Sequence, residues 1–213
     1  MSYARTAGGF GIIAFVLMVL NVAFYGSTPT LDDPTSEIVA YIGEDLDMHR
    51  LALIFGVLIL PFYAVFLSGM VVRIYAVDRE HGEAWGLVAL IGGIMIGATA
   101  TIGGVAVGTL LLRGGAGMDD ETIRAIWDLG GRAYGGVGIA IAVLTGAVAI
   151  SSYQHPSWPP WYMWLSALAA VIGIISVAST SWTSDTALIL GYAAFAGLAV
   201  WTLASSIMLV NEE

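Results

Sequence analysis

The chain has 213 residues, of which 58% are hydrophobic and 11% are charged, and its mean hydropathy is +0.86. Soluble domains carry about 25% charged residues, so this composition excludes a soluble globular protein. Cysteine and lysine are both absent, which excludes disulfides, thiolate metal sites and the Schiff-base lysine of a retinal pump. The formal net charge of −9 opposes binding to a polyanion, and we expect no nucleic-acid partner.

Six charge-free stretches predict membrane-spanning helices. A helix of about 20 apolar residues covers about 30 Å of hydrocarbon, and every stretch is close to that length or above it. The spans and their connections use nearly the whole chain, so we predict a single all-α, polytopic domain over residues 1–213, embedded in the lipid bilayer. The predicted spans are Gly8–Gly26, Leu51–Val72, Trp85–Leu112, Tyr134–Ser152, Trp161–Thr180 and Thr186–Val210.

Two loops open with the same pattern, Asp-Asp-x-Thr, at Asp32 and at Asp119. Asp33 before Pro34 is typical of a helix start, and apolar residues follow in both loops at helical spacing. We therefore predict two short amphipathic surface helices, Pro34–Met48 and Asp120–Leu129, lying flat across one end of the bundle with their acids facing water. The side chains predicted to pack onto the span ends are Ile38, Tyr41, Ile42, Ile123, Ile126 and Trp127.

The connections on the other side are short, Arg73–Glu83 and Ser152–Pro160. An even number of spans puts both termini on this side. Counting arginines gives nearly equal numbers for the two sides, so the positive-inside rule decides little. The acidic surface helices are typical of an exported face, and we therefore predict a cell-membrane protein with both termini in the cytoplasm.

The start of the fifth predicted span is rich in proline and aromatic residues. Pro159 lies where a helix can begin without losing a hydrogen bond, and Trp161 and Trp164 are residues that favour the headgroup level of a bilayer. These three residues predict an interfacial anchor.

The same Pro-x-Trp-x-x-Trp motif resembles one in a family of six-helix bacterial integral membrane proteins that has no assigned activity. Further elements similar to that family are spread along nearly the whole chain, and they are Glu37, Ile38, Tyr41, the pair His49-Arg50, the loop near Arg73, and Ala125, Trp127, Leu129 and Gly130. The chain departs from the family at Pro160, where a basic residue is usual. The resemblance implies a six-helix topology and no catalytic residue.

Glycine pairs and one proline mark the interior of the spans. The pairs Gly93/Gly97, Gly104/Gly108 and Gly131/Gly135 have the four-residue spacing that lets helices approach closely in lipid. They indicate packing within the chain or, alternatively, a homo-oligomer interface. Pro61 frees the carbonyl of Val57 and predicts a structural kink, the alternative being a gating hinge beside a small cavity.

The candidate ligands for a cofactor or a metal are few. No predicted span contains an internal histidine, so an axial haem ligand is missing and we expect no cofactor. Asp45, Asp47 and His49 cluster before the second span, and Asp45 and His49 share a helix face. They are the weak candidates for a divalent cation, and a solvated acidic surface is the alternative.

Two function classes remain open. Intramembrane ionisable residues mark proton relays, ion pathways and catalysis, and none lies deep inside a predicted span. The first class is a non-enzymatic structural or interaction protein, such as an accessory subunit of a membrane assembly. The second is a passive or facilitated carrier of a small neutral or apolar solute. A membrane enzyme using Asp45, Asp47 and His49 is a more distant third.

Overall fold

Seven α-helices run through the residues described by the computed structural model, which are 2–113, 117–156, 158–180 and 185–211. No strand occurs in these ranges. The helices are α1 Tyr3–Tyr25, α2 Thr35–Gly43, α3 Leu46–His81, α4 Trp85–Arg113, α5 Asp120–Gln154, α6 Pro160–Ser176 and α7 Asp185–Val210, and a 3-10 turn, Val177–Thr180, follows α6.

Five of these helices, α1, α3, α4, α5 and α7, are long and apolar enough to cross a membrane. Helix α6 has 17 residues and is also apolar, and the 3-10 turn Val177–Thr180 lengthens it. Their outward side chains are aliphatic over much of the bundle, for example Ile94 and Val105 of α4. Since a lipid-facing backbone must satisfy its own polar groups, helices are the expected solution. The predicted all-α, multi-pass membrane architecture is confirmed.

The first and last helices run antiparallel to each other. The hydroxyls of Thr28, just after α1, and Tyr192, near the start of α7, are 2.9 Å apart. At the other end, Gly8 of α1 lies against the backbone of Val210. The described chain ends therefore lie together, at what we call the terminal end. The opposite end, which carries α2, is called the cap end.

Glycine lets several helices touch backbone to backbone. A Cβ placed on Gly92 of α4 would lie 2.5 Å from the backbone nitrogen of Leu144 in α5. A Cβ on Gly173 of α6 would lie 2.6 Å from the carbonyl oxygen of Gly138 in α5. Gly93 likewise meets a side chain of α3, whereas Gly97 has nothing within 4 Å. Several of the glycines thus allow close contacts between helices of the same chain.

The prediction of two separate surface helices is wrong for the second of them. Residues 120–129 form the first turns of α5, which continues unbroken for 35 residues to Gln154. The segment contains no proline, so nothing removes a hydrogen bond from the helix. Gly130, the next residue, lies against Val107 of α4 and so packs α5 onto α4 at this point. Only α2 is a separate surface helix in the described part of the chain.

The boundaries around α2 and α3 also differ from the prediction. Helix α2 begins after Pro34, not after Asp33, and it ends at Gly43 instead of Met48. Asp45 then adopts the left-handed conformation at φ 43°, and α3 begins at Leu46. The predicted loop Arg73–Glu83 is mostly helix, because α3 continues to His81 and only residues 82–84 connect it to α4. Gly82, at φ 72°, ends α3 in the left-handed conformation that glycine favours.

Candidate functional site

The cap end is closed by a buried apolar cluster shared by α2, α4 and α5. Amphipathic spacing places the apolar face of α2 inward, and the same is true of the first turns of α5. We call this group the cap cluster, and its buried members are Ile38, Tyr41, Ile42, Val107, Leu110, Leu111, Ile123 and Trp127. Ile126 is partly buried against it. The packing that the helical spacing predicted for these side chains is therefore present.

Trp127 and Tyr41 form the aromatic part of the cap cluster. Their ring centroids are 5.6 Å apart in an edge-to-face arrangement, and Trp127 is only 6% exposed. The Tyr41 hydroxyl donates a hydrogen bond of 3.0 Å to the carbonyl of Tyr25 at the end of α1. Burial raises the pKa of Tyr41, so this hydroxyl stays protonated. Helix α2 is thus joined to both α1 and α5.

Arg124 of α5 holds the loop that leads into α2. Its guanidinium donates to the carbonyl of Asp33 at 2.5 Å and pairs with Asp128 at 3.1 Å. The carboxylate of Asp33 accepts from the amide of Thr30, so it shapes the loop and does not cap α2. Asp119 does cap its helix, because it accepts from the Thr122 amide at 2.7 Å, which lowers the pKa of Asp119. These contacts hold the loop that precedes α2 and the first turn of α5.

The three weak metal candidates lie close together in sequence at the cap end, but in different surroundings. Asp47 is almost fully exposed and pairs with Arg50 at 3.1 Å. His49 is buried, with its ring 4.4 Å from that of Tyr41. Among the described residues, no group of three histidine or acidic side chains is arranged to hold a metal. Asp45 is the left-handed residue that precedes α3, and its carbonyl accepts a hydrogen bond of 3.1 Å from the amide of His49.

Pro61 lies inside α3, which continues through it without a break. Its side chain is exposed on the outside of the bundle. Tyr63, two residues later, points the other way and is only 5% exposed. Pro61 therefore lies on the outer face of α3 and not in the packed interior.

The terminal end contains a buried carboxylate that the sequence did not reveal. Asp78, in the last turn of α3, is 0% exposed. One of its oxygens accepts from the backbone amide of Gly86 in the first turn of α4 at 2.6 Å. The other accepts from the Ser151 hydroxyl of α5 at 3.4 Å. Unpaired amides and the positive end of the helix dipole favour a carboxylate at a helix N-terminus, so Asp78 joins three helix ends.

Two histidines lie beside this junction. The Nε2 of His155, just after α5, is 3.0 Å from a carboxylate oxygen of Glu83. The ring of His81, at the end of α3, lies over that of His155 with centroids 3.9 Å apart. The Nδ1 of His81 is 3.0 Å from the carbonyl of Val77, an acceptor, so Nδ1 donates this hydrogen bond. These contacts reinforce the link between α3 and α5.

A line of aromatic and hydroxyl groups leads from the terminal end into the bundle. The Arg73 guanidinium lies 5.0 Å from the ring of Trp158, which stacks on Tyr162 at 4.5 Å. The Tyr162 hydroxyl is 2.7 Å from that of Ser205 in α7. The Ser205 hydroxyl in turn donates to the carbonyl of Trp201 at 2.7 Å, so it is held by its own helix. The line joins α3, α6 and α7.

The aromatic residues that open α6 face outward at the terminal end. Trp161 is 52% exposed and Trp164 is 68% exposed, while Pro159 precedes the first turn of α6. Tyr3 of α1 and Tyr153 of α5 are also exposed at this end. Trp and Tyr side chains favour the headgroup level of a bilayer, and the interfacial anchor at Pro159, Trp161 and Trp164 stays a prediction.

The residue that sequence reasoning missed most clearly is Asp78. It lies four residues after Ile74 and eight after Met70, both of which are buried on the inner face of α3. Extending the helical spacing by two turns would have placed Asp78 on that face. The predicted span ends at Val72, and Asp78 falls within the predicted loop Arg73–Glu83.

Comparisons with protein families, with curated proteins and with solved structures find no match to this chain. The resemblance to six-helix bacterial membrane proteins stays a prediction.

Proposed function

We propose that this multi-pass membrane protein is a non-enzymatic structural or interaction protein, most simply an accessory subunit of a membrane assembly. The observation that carries the proposal is the close packing of the helices in the interior of the bundle. Helices meet through glycine at backbone contact distance, as at Gly138 and Gly173, and large side chains such as Phe66 and Trp201 are 0% exposed between them. Such packing favours a fixed scaffold.

The buried hydroxyls support the same conclusion. Thr145 donates to the carbonyl of Ile141, Ser206 donates to that of Thr202, and Ser176 donates to that of Gly173. A hydroxyl held by its own helix is not available to a transported solute. Most of the mid-span groups that a carrier would need are therefore already engaged.

The alternative is a passive or facilitated carrier of a small neutral solute. Two buried hydroxyl groups that could bind a solute favour this alternative. The hydroxyls of Tyr63 and Thr202 have no hydrogen-bond partner among the described residues. A buried hydroxyl without a hydrogen-bond partner is costly, so a water or a solute would bind there first. Tyr63→Phe distinguishes the two functions, because it removes a binding atom from a carrier and only an unpaired group from a scaffold.

The proposal is tested by the mass of the protein in its own membrane. The chain is extracted with its surrounding lipid in a polymer disc and analysed by native mass spectrometry. We expect a complex well above the 22.3 kDa of one chain, with a partner in constant stoichiometry. A homo-oligomer would also support the proposal, with copies of this chain as the partners. A free monomer that carries no partner and accelerates solute flux would contradict the proposal.

A further inference from the structure

A buried histidine lies at the joint between the cap helix and the second span. His49 is in the first turn of α3 and is only 4% exposed. Its ring is 4.4 Å from the ring of Tyr41, and its Nδ1 has no hydrogen-bond partner among the described residues. The Nδ1 edge of the imidazole is therefore buried without a polar partner, with the ring against Tyr41 of α2. A proton on this ring would place a charge in an apolar contact.

The joint above His49 is short and conformationally constrained. Glu44 is extended and Asp45 is left-handed, so the helix is broken between α2 and α3 within two residues. Among the described residues Asp45 is the one non-glycine residue with a positive φ. Such conformations cost free energy and persist only when the surrounding contacts enforce them. Loss of the contact between His49 and Tyr41 would remove one of those constraints.

The charged groups around the joint favour a protonated ring outside the pocket. Glu44 and Asp45 are exposed next to the buried imidazole. Burial lowers the pKa of His49, which lies before the predicted span Leu51–Val72, and the two acids oppose this effect without overcoming it. An imidazolium that left the pocket would keep the attraction of the acids and lose the burial penalty.

The other titratable groups nearby are already engaged. Asp47 and Arg50 of the same turn pair with each other at 3.1 Å, as do Arg124 and Asp128 of α5. The Tyr41 hydroxyl donates to a carbonyl of α1. None of these groups offers a buried counter-charge to the ring.

From this geometry we infer that His49 is an acid-operated latch, whose protonation releases α2 from α5 by rotation at Glu44 and Asp45. Release uncovers the apolar side chains beneath α2, Val107, Leu110 and Trp127 among them. A group whose pKa is lowered in the closed state stabilises that state above its ordinary pKa of 6.5. The stabilisation is lost as the pH falls below this value. One linked proton changes the open-to-closed ratio by up to about tenfold per pH unit.

The latch is tested by the distance between α2 and α5. The chain contains no cysteine, so spin labels on Ser36→Cys and Ala125→Cys, both exposed positions, report this distance in the full chain in lipid discs. We expect a single short distance at pH 7.5, and a growing fraction of longer distances as the pH is lowered to 5.

Three variants separate the latch from general acid unfolding. His49→Phe keeps a ring against Tyr41 but cannot take a proton, so its distances should not change with pH. Asp45→Asn with Glu44→Gln should shift the opening to lower pH. His81→Asn, at the terminal end, should leave the opening unchanged. The same distance at pH 7.5 and 5 in the native chain, or opening that persists in His49→Phe, would overturn the latch.

Discussion

The carboxylate of Asp78, in the last turn of α3, accepts a hydrogen bond of 2.6 Å from the backbone amide of Gly86 in the first turn of α4. The contact spans the tight connection at the terminal end, and Ser151 of α5 joins it from the other side. The buried carboxyl group thus supplies the acceptor that an orphan amide at the start of α4 needs.

Asp78→Ala should therefore destabilise the protein. The substitution leaves the Gly86 amide buried without a partner, which costs about 1–3 kcal/mol. Asp78→Asn keeps an oxygen that can accept, so its loss should be smaller. Thermal unfolding of the purified protein in detergent measures both, with Glu80→Gln at an exposed neighbouring position as the control. Equal stability of Asp78→Ala and the native chain would show that the contact is not structural.

Trp127→Ala should be among the most destabilising substitutions at the cap end. Trp127 is 6% exposed within the cap cluster, and truncating a buried aromatic side chain costs about 3–5 kcal/mol. Leu129→Ala is the matched control on the same helix, because Leu129 is 56% exposed. If chemical denaturation gave the two variants the same midpoint, the cap cluster would not contribute to stability as described.

Asp45→Gly should stabilise the protein, whereas Asp45→Ala should not. Asp45 has φ 43°, a region that glycine adopts without the steric cost of a Cβ. We expect a gain of up to about 1 kcal/mol for glycine. Glu44→Gln, at an exposed and extended position, should change the stability little. Glycine that proves less stable than alanine at position 45 would argue against the left-handed joint.

Gly138→Ala should disrupt the packing of α5 against α6. A Cβ at Gly138 would lie 2.7 Å from the carbonyl oxygen of Gly173, a contact that only a shift of the two helices relieves. Gly97→Ala meets nothing within 4 Å and should be neutral or stabilising, since alanine favours a helix by about 1 kcal/mol over glycine. Comparing the melting temperatures of the two variants checks the assignment, and a stable Gly138→Ala would speak against the close crossing.

The length of the charge-free stretches predicted the helical, multi-pass fold, because the hydrocarbon thickness sets the length of a membrane-spanning helix. The same stretches could not predict where helices continue past the membrane. Helix α3 continues to His81 because residues 73–81 keep the helical spacing of the buried residues Met70 and Ile74. Helix α5 includes residues 120–129 because no proline interrupts them. Asp adopts positive φ more often than most non-glycine residues but still in a minority of cases, so residue type alone could not predict the break at Asp45. The pairings at Asp78 and His49 depend on tertiary contacts that one sequence does not reveal.

The central claim is that the bundle is a packed scaffold and not a path for solutes. Stopped-flow light scattering of proteoliposomes measures it most directly, with an osmotic gradient of a small neutral solute such as glycerol or urea. We predict that the rate equals that of protein-free liposomes and is the same for Pro61→Ala and Tyr63→Phe. A several-fold faster flux that Tyr63→Phe or Pro61→Ala abolishes, while expression and thermal stability stay intact, would contradict the claim and identify a carrier.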